Sequence, residues 1–252
     1  MFPLLGYIGN FYISSYLVLN VLGIIAGLCL LSFHLTSFKK GKANKILIFA
    51  FLIFIPFFIG ARAGFIVEQL FIGQLPVFNF FGAVSLWWGL VAAVLFAFPI
   101  AALLKVNIWE TADLFSVSIA LGGVFARLAC LLNGCCIGLP TSKEFPLAAF
   151  FSSSSYAYSV FGDTPLLPTQ LFEALAWLAI FILLMTYKPR KKYHGELIIL
   201  MGLSYSLSRF IIEFFRYHEA PQQFLIVDIF CAVIFIFSAF LWLNKKYLLS
   251  KA

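Results

Sequence analysis

Charge is what this sequence has least of. Asp, Glu, Lys and Arg make up 11% of its 252 residues, where a soluble domain carries about a quarter. That scarcity excludes an ordinary soluble fold, and a 63% hydrophobic share with 32 Phe excludes disorder. The 17 basic residues outnumber the 10 acidic ones, but they fall in short clusters between apolar runs. The pattern excludes a nucleic-acid binder of the usual kind and sets the positive charge against a bilayer. The five cysteines have no regular spacing and no histidine clustering, which argues against a disulfide framework or a structural zinc site. No basic stretch precedes the first apolar run, so a cleavable signal peptide is not expected. Nor are there ten-residue alternations of the kind that build membrane barrels.

What is present is a series of long apolar runs. A membrane helix needs about 20 mostly apolar residues, and seven runs qualify: Tyr12 to Phe33, Lys45 to Val67, Ala83 to Leu104, Thr111 to Leu132, Thr169 to Tyr187, Glu196 to Phe215 and Phe224 to Leu243. The expected architecture is an all-α membrane protein, residues 1–252 forming one seven-helix transmembrane domain with a long loop over 133–168. Alternating the connections gathers twelve basic residues on one side: Lys39, Lys40, Lys42, Lys45, Lys105, Lys188, Arg190, Lys191, Lys192, Lys245, Lys246 and Lys251. The other side holds only Lys143 and Arg216. Basic loops collect in the cytoplasm, so the N-terminus is expected outside, the C-terminus inside and the 133–168 loop outward.

Charges inside a span are expensive and mark function by default. Arg62, Arg127, Arg209 and Glu213 fall near the outer ends of their runs, and Gln170 and Glu173 open the fifth. The cytoplasmic halves are expected to be almost purely apolar. Arg209 and Glu213 are four apart and share a helix face with Tyr205. Two readings remain: the acids neutralise arginines to hold helices together, or three guanidiniums against two carboxylates leave a positive pocket for an anion. At that depth the available anion is a phospholipid phosphate. Glu110 and Asp113 are expected to cap the fourth helix. Asp228 reads equally as an arginine partner or an interface acid. His34 and His194 are expected to be solvated, and His218 to lie at the surface. Trp87, Trp88, Tyr12 and Tyr16 suit an interfacial aromatic belt. The last run has no mid-span lysine, which excludes a retinal Schiff base.

The stretch Gly122-Gly123-Val124-Phe125-Ala126-Arg127-Leu128-Ala129-Cys130-Leu131-Leu132-Asn133-Gly134-Cys135-Cys136-Ile137-Gly138 resembles the signature of prolipoprotein diacylglyceryl transferases. Three further blocks agree in order: Gly60 to Gly64, Pro168 to Leu175, and Tyr205 to Arg216. The resemblance implies transfer of diacylglycerol from phosphatidylglycerol to the thiol of a prolipoprotein lipobox cysteine in the bacterial cytoplasmic (inner) membrane. Glycerol phosphate is released, and no cofactor or metal takes part. It implies Arg127, Arg209, Glu213 and Tyr205 as catalytic residues. Arg62, Trp87, Asn133, Gly138, Gln170 and Glu173 are implied as substrate-binding, with Asn133 and Gly138 shaping the outer turn. The partners implied are phosphatidylglycerol, the lipobox signal peptide and membrane lipids, with no nucleic acid.

The sequence departs from the family pattern in the third run, where a His-Gly-Gly-Leu block is replaced by Trp87-Trp88-Gly89-Leu90. The family's histidine is associated with activating the acceptor thiol. An attacking thiol needs a base or a positive site, and the candidates here are Glu213, Tyr205, His218 or the arginines themselves. Two alternative functions follow: a diverged paralogue with another acceptor, or a phospholipid-binding or transport protein without catalysis. Cys130 and Cys135 also replace family residues. With Cys136 they read as packing, as a nucleophile or as a disulfide pair, while Cys29 and Cys231 read as packing.

Overall fold

The computed structural model describes residues 4–8, 11–71, 85–218 and 221–244. The beginning expected for the third run, Ala83, and the C-terminal lysines 245, 246 and 251 lie outside them. The first run starts as helix three residues later than expected. Phe11–Ser14 (β2) instead pairs antiparallel with Leu4–Ile8 (β1), Tyr7 opposite Tyr12 and Ile8 opposite Phe11. Aromatic and β-branched residues on either side of a Gly-Asn dipeptide are hairpin chemistry, which outweighs the apolar character that suggested a span.

The remaining elements are helical: α1 Ser15–Leu35, α2 Lys40–Phe71, α3 Leu86–Leu104, α4 Ile108–Asn133, the short α5 Tyr156–Phe161, α6 Thr169–Tyr187, α7 Glu196–Glu213 and α8 Pro221–Leu243. Among the described residues five helices are long and apolar enough to cross a membrane, namely 15–35, 40–70, 86–104, 108–133 and 169–190. The other two expected runs coincide with α7 and α8. α7 is diluted by Ser204, Ser206, Ser208, Arg209 and Glu213, and α8 carries an apolar stretch that includes Val227–Leu243. Large apolar side chains stand fully outward on these helices, Phe51 71% and Leu103 76% exposed. Such faces suit a hydrocarbon solvent rather than water.

Contacts divide the chain into two units, Met1–Phe33 with Ala112–Ala252, and His34–Thr111. In the second, α2 and α3 approach closely because the facing residues are small. A methyl group added at Gly89 would sit 2.9 Å from the Ala61 methyl, and one at Gly64 would overlap Trp88. Asn107 Oδ1 accepts from the Trp109 and Glu110 amides and so opens α4, while Glu110 pairs with Lys42 at 2.6 Å. His34, expected to be solvated, is 6% exposed.

In the first unit α4, α6 and α7 pack through Val117, Ala120, Ile180, Leu184 and Leu197. One end of this group is not apolar, contrary to expectation. Asp113, 1% exposed, does not cap its own helix. Its carboxylate accepts from the amides of Gly195, Leu197 and Ile198 at the start of α7, 2.8 to 3.0 Å away, and pairs with Lys191 at 3.0 Å. The acid thus satisfies the orphan donors of a helix 84 residues ahead in sequence, between Asp113 and Leu197. Asp113→Asn should lower stability by about 2 kcal/mol. Thermal unfolding in detergent measures this, and an unchanged midpoint would contradict the cap.

The loop from Gly134 to Pro168 is ordered by backbone pairing. Ala149 and Leu166 exchange amide hydrogen bonds, Leu139 donates to Phe215 O, Tyr217 to Ile137 O and Ala157 to Gly134 O. Ile137, Ala157 and Leu166 form a buried cluster beneath it. The loop is therefore fastened to the chain just past α7.

Candidate functional site

At the end of α4, α6 and α7 opposite Asp113, charged side chains from all three helices meet. Glu173 is one turn into α6, and its carboxylate faces three guanidiniums: Arg127 Nε of α4 at 2.7 Å, Arg216 Nη1 at 2.7 Å and Arg209 Nη1 of α7 at 3.6 Å. Arg209 also pairs with Glu213 one turn on, as the spacing predicted, and Arg216 Nε lies 3.9 Å from Glu213. Glu213 is fully buried and Glu173 nearly so. Charges this deep are tolerated only when paired and hydrogen-bonded, and here three cations share two anions.

Arg216 is the residue the sequence reading placed elsewhere. It was counted as a loop cation because the apolar run stops at Phe215, yet its side chain is 12% exposed and reaches Glu173. Its signal is the spacing: positions 209, 213 and 216 are four and then three apart, the intervals of one helix face, and the turn that follows α7 keeps Arg216 on that side. His218, expected at the surface, has Nε2 3.1 Å from Glu213 Oε1. Burial, together with the Arg216 and Arg209 guanidiniums, holds its imidazole below the ordinary histidine value, so it is neutral at neutral pH.

Beside this layer a cavity is lined by Glu173, Trp177, Tyr205, Ser208, Arg209 and Ile212, with ≈ 10 Å³ open to the centre of a water-sized sphere. That is room for about one water. Tyr205 is stacked on Trp177 with ring centroids 4.6 Å apart, which fixes the wall.

Gln170 and Thr169 do not join the arginines. Both are fully buried and hold the turn after α4: Gln170 Nε2 donates to Cys135 O at 2.7 Å and Thr169 Oγ1 to Cys136 O at 3.2 Å. Asn133 is the last residue of α4, and Gly134 leaves the helix at φ +74°, a glycine conformation. Gly138 bridges to Arg216, and a methyl there would collide with the Leu167 carbonyl. Because backbone cannot step aside as a side chain can, Gly138→Ala should lower stability by about 1 to 3 kcal/mol. It should also speed protease cleavage between 139 and 167; cleavage at the unaltered rate would contradict the fit. Arg62 and Trp87 belong to the second unit, Arg62 with its guanidinium 5.6 Å from the Phe65 ring centroid and Trp87 in the first turn of α3.

The turn after α4 brings the three neighbouring cysteines together. The sulfurs of Cys130, Cys135 and Cys136 all lie within 4.8 Å of one another. Hydrogen bonds from Cys130 and Cys135, assisted by Arg216 and Arg127, hold the Cys136 thiol well below its ordinary value, although partial desolvation opposes them.

The family described as prolipoprotein diacylglyceryl transferase matches residues 3–244. A phosphatidylglycerol–prolipoprotein diacylglyceryl transferase of Campylobacter curvus is 34% identical over 152 residues, 57% of this chain and 52% of that protein. A relative of the same description, numbered 2, from Clostridium perfringens is 35% identical over 112 residues, 44% and 42% of the two chains. One from Helicobacter pylori strain 26695 is 38% identical over 106 residues, 41% and 35%. The matched segments thus span about half or less of the length of these curated relatives.

Proposed function

Because the chain belongs to the prolipoprotein diacylglyceryl transferase family, we propose that it moves the diacylglyceryl group of phosphatidylglycerol onto the thiol of a prolipoprotein lipobox cysteine and releases glycerol phosphate. The relatives' names state phosphatidylglycerol and prolipoprotein as what those proteins act on. The observation that carries the reading is the layer of Arg127, Arg209 and Arg216 around Glu173 and Glu213. With His218 neutral, the three guanidiniums have two carboxylates in salt-bridge range, Glu173 and Glu213, while Asp228 acts on Arg209 from farther off. A phosphodiester is an anion whose oxygens such planar donors hold in pairs.

In this reaction sulfur bonds to the glyceryl carbon and that carbon's bond to the phosphate oxygen breaks. The electron pair leaves with the phosphate, and the thiol proton goes to a base. Charge therefore develops on phosphate oxygen, where fixed guanidinium donors stabilise it. A cavity sized for about one water does not admit a phosphate. The headgroup enters by taking over donors that Arg209 and Arg127 now give to the carboxylates, and Glu173 holds the arginines in place until then. Tyr205, packed on Trp177, borders the same cavity and offers its hydroxyl to the headgroup. Glu213 orients Arg209 and, with His218, is a candidate acceptor for the thiol proton in a chain where Trp87 stands at the family's histidine.

The same proposal includes seven spans with the N-terminus outside, the C-terminus inside and location in the bacterial cytoplasmic membrane. A helix coincides with each of the seven apolar runs, and the division of basic residues between the connections, twelve against Lys143 once Arg216 is counted in the layer, supports the orientation. In the proposed orientation the arginine layer lies toward the outer face, and Asn133 and Gly138 shape the turn beside it.

A mass-spectrometric assay tests the function. Full-length protein in nanodiscs containing phosphatidylglycerol should add a diacylglyceryl group to a lipobox peptide, and nanodiscs of phosphatidylethanolamine alone should yield none. Consumption of phosphatidylglycerol with the peptide unmodified would instead favour another acceptor.

A further inference from the structure

Outside the arginine layer the densest chemistry is the group of thiols. Cys130 lies near the end of α4, and Cys135 and Cys136 follow the turn at Gly134; all three are free, and their sulfurs lie within 4.8 Å of one another. Packing accounts for small apolar side chains but not for the backbone that delivers them. Cys136 has φ +57°, a left-handed conformation that a residue with a Cβ adopts only at a cost of about 1 kcal/mol or more. The turn is held there by Gln170 on the Cys135 carbonyl and Thr169 on the Cys136 carbonyl. Two fully buried side chains of α6 thus fix the carbonyls of the two residues that bring their sulfurs to Cys130.

Sulfur ligands 2.3 Å from a tetrahedral ion are about 3.8 Å apart, so rotation of the cysteine side chains by less than an ångström suffices to close on one. Cys130 is buried, while Cys135 and Cys136 are partly exposed and give an ion a way in. A metal held by three thiolates carries net negative charge, and Arg127 and Arg216 both act electrostatically on Cys136. Thiolates select soft or borderline ions over magnesium and calcium.

We propose that Cys130, Cys135 and Cys136 form a binding site for a thiophilic divalent ion of the zinc type, three sulfurs serving as ligands and the fourth position open to an incoming donor. Binding releases the thiol protons to solvent and involves no change of oxidation state. The proposal does not rest on the transfer reaction, and its test reads metal binding alone.

The test uses full-length protein purified in detergent under a phosphine reductant. One equivalent of Co²⁺ should produce sulfur-to-cobalt charge-transfer absorption that Zn²⁺ abolishes. A Cys29→Ser/Cys231→Ser protein should keep the absorption and Cys136→Ser should lose it. On the unaltered chain, Zn²⁺ should slow maleimide labelling of Cys130, Cys135 and Cys136 by about tenfold or more while leaving Cys29 and Cys231 unchanged, a readout that does not depend on any variant folding. No charge-transfer band at one equivalent, or equal labelling of all three thiols with and without Zn²⁺, would overturn the proposal.

Discussion

Replacing Glu173 with alanine is expected to destabilise the protein by about 3 to 5 kcal/mol, the effect of leaving buried charges without their partner. Glu173 is the one carboxylate that faces Arg127, Arg209 and Arg216 together. Without it, the three guanidiniums have only Glu213 in salt-bridge range, and Arg127 has no acid beside it. For a chain of this size the loss corresponds to a fall in unfolding midpoint of roughly 10 °C. Because the layer then resembles an emptied anion site, glycerol phosphate should recover part of that loss by binding the folded state alone. A mutant that melts like the unaltered protein would show that Glu173 holds nothing. A mutant that melts early but ignores glycerol phosphate would restrict the layer to a structural role.

Arg209→Lys separates binding from packing. Lysine keeps the charge and can still pair with Glu213 one turn away, so the fold and the unfolding midpoint should be nearly retained. It offers no planar fork, so a phosphate held by two parallel bonds loses its geometry. Turnover should fall by about 10² to 10³, the usual effect of removing one preorganised donor from developing charge. If Arg209 serves only to neutralise Glu213, turnover of Arg209→Lys will stay within a few-fold of the unaltered protein. Equal losses of yield and turnover would likewise count against the phosphate role.

The helices were legible because lipid-facing runs are long and uniformly apolar, and no tertiary detail is needed to see them. The pair Arg209 and Glu213 was legible for a different reason: both partners lie on one helix, four residues apart. Contacts between distant segments were not legible. The end of an apolar run at Phe215 does not show where Arg216 points: the chain turns after α7 and carries that side chain back to Glu173. Asp113 was assigned to its own helix because local capping is the shorter explanation; the amides it serves belong to α7. Cys130, Cys135 and Cys136 are visible together in the sequence, but spacing does not show that their sulfurs meet, because a left-handed turn does the gathering. The hairpin before α1 shows the reverse error, since residues apolar enough for a span also suit a pair of strands.

The measurement that bears most directly on the arginine layer as a phosphate site is glycerol phosphate release from phosphatidylglycerol nanodiscs, followed with and without a lipobox cysteine peptide. Release in step with peptide modification, absent without peptide and reduced at least about a hundredfold in Arg209→Lys, is the predicted result. Failure to release glycerol phosphate with peptide present, in protein that still binds phosphatidylglycerol, would contradict it and leave a lipid-binding protein without the transfer.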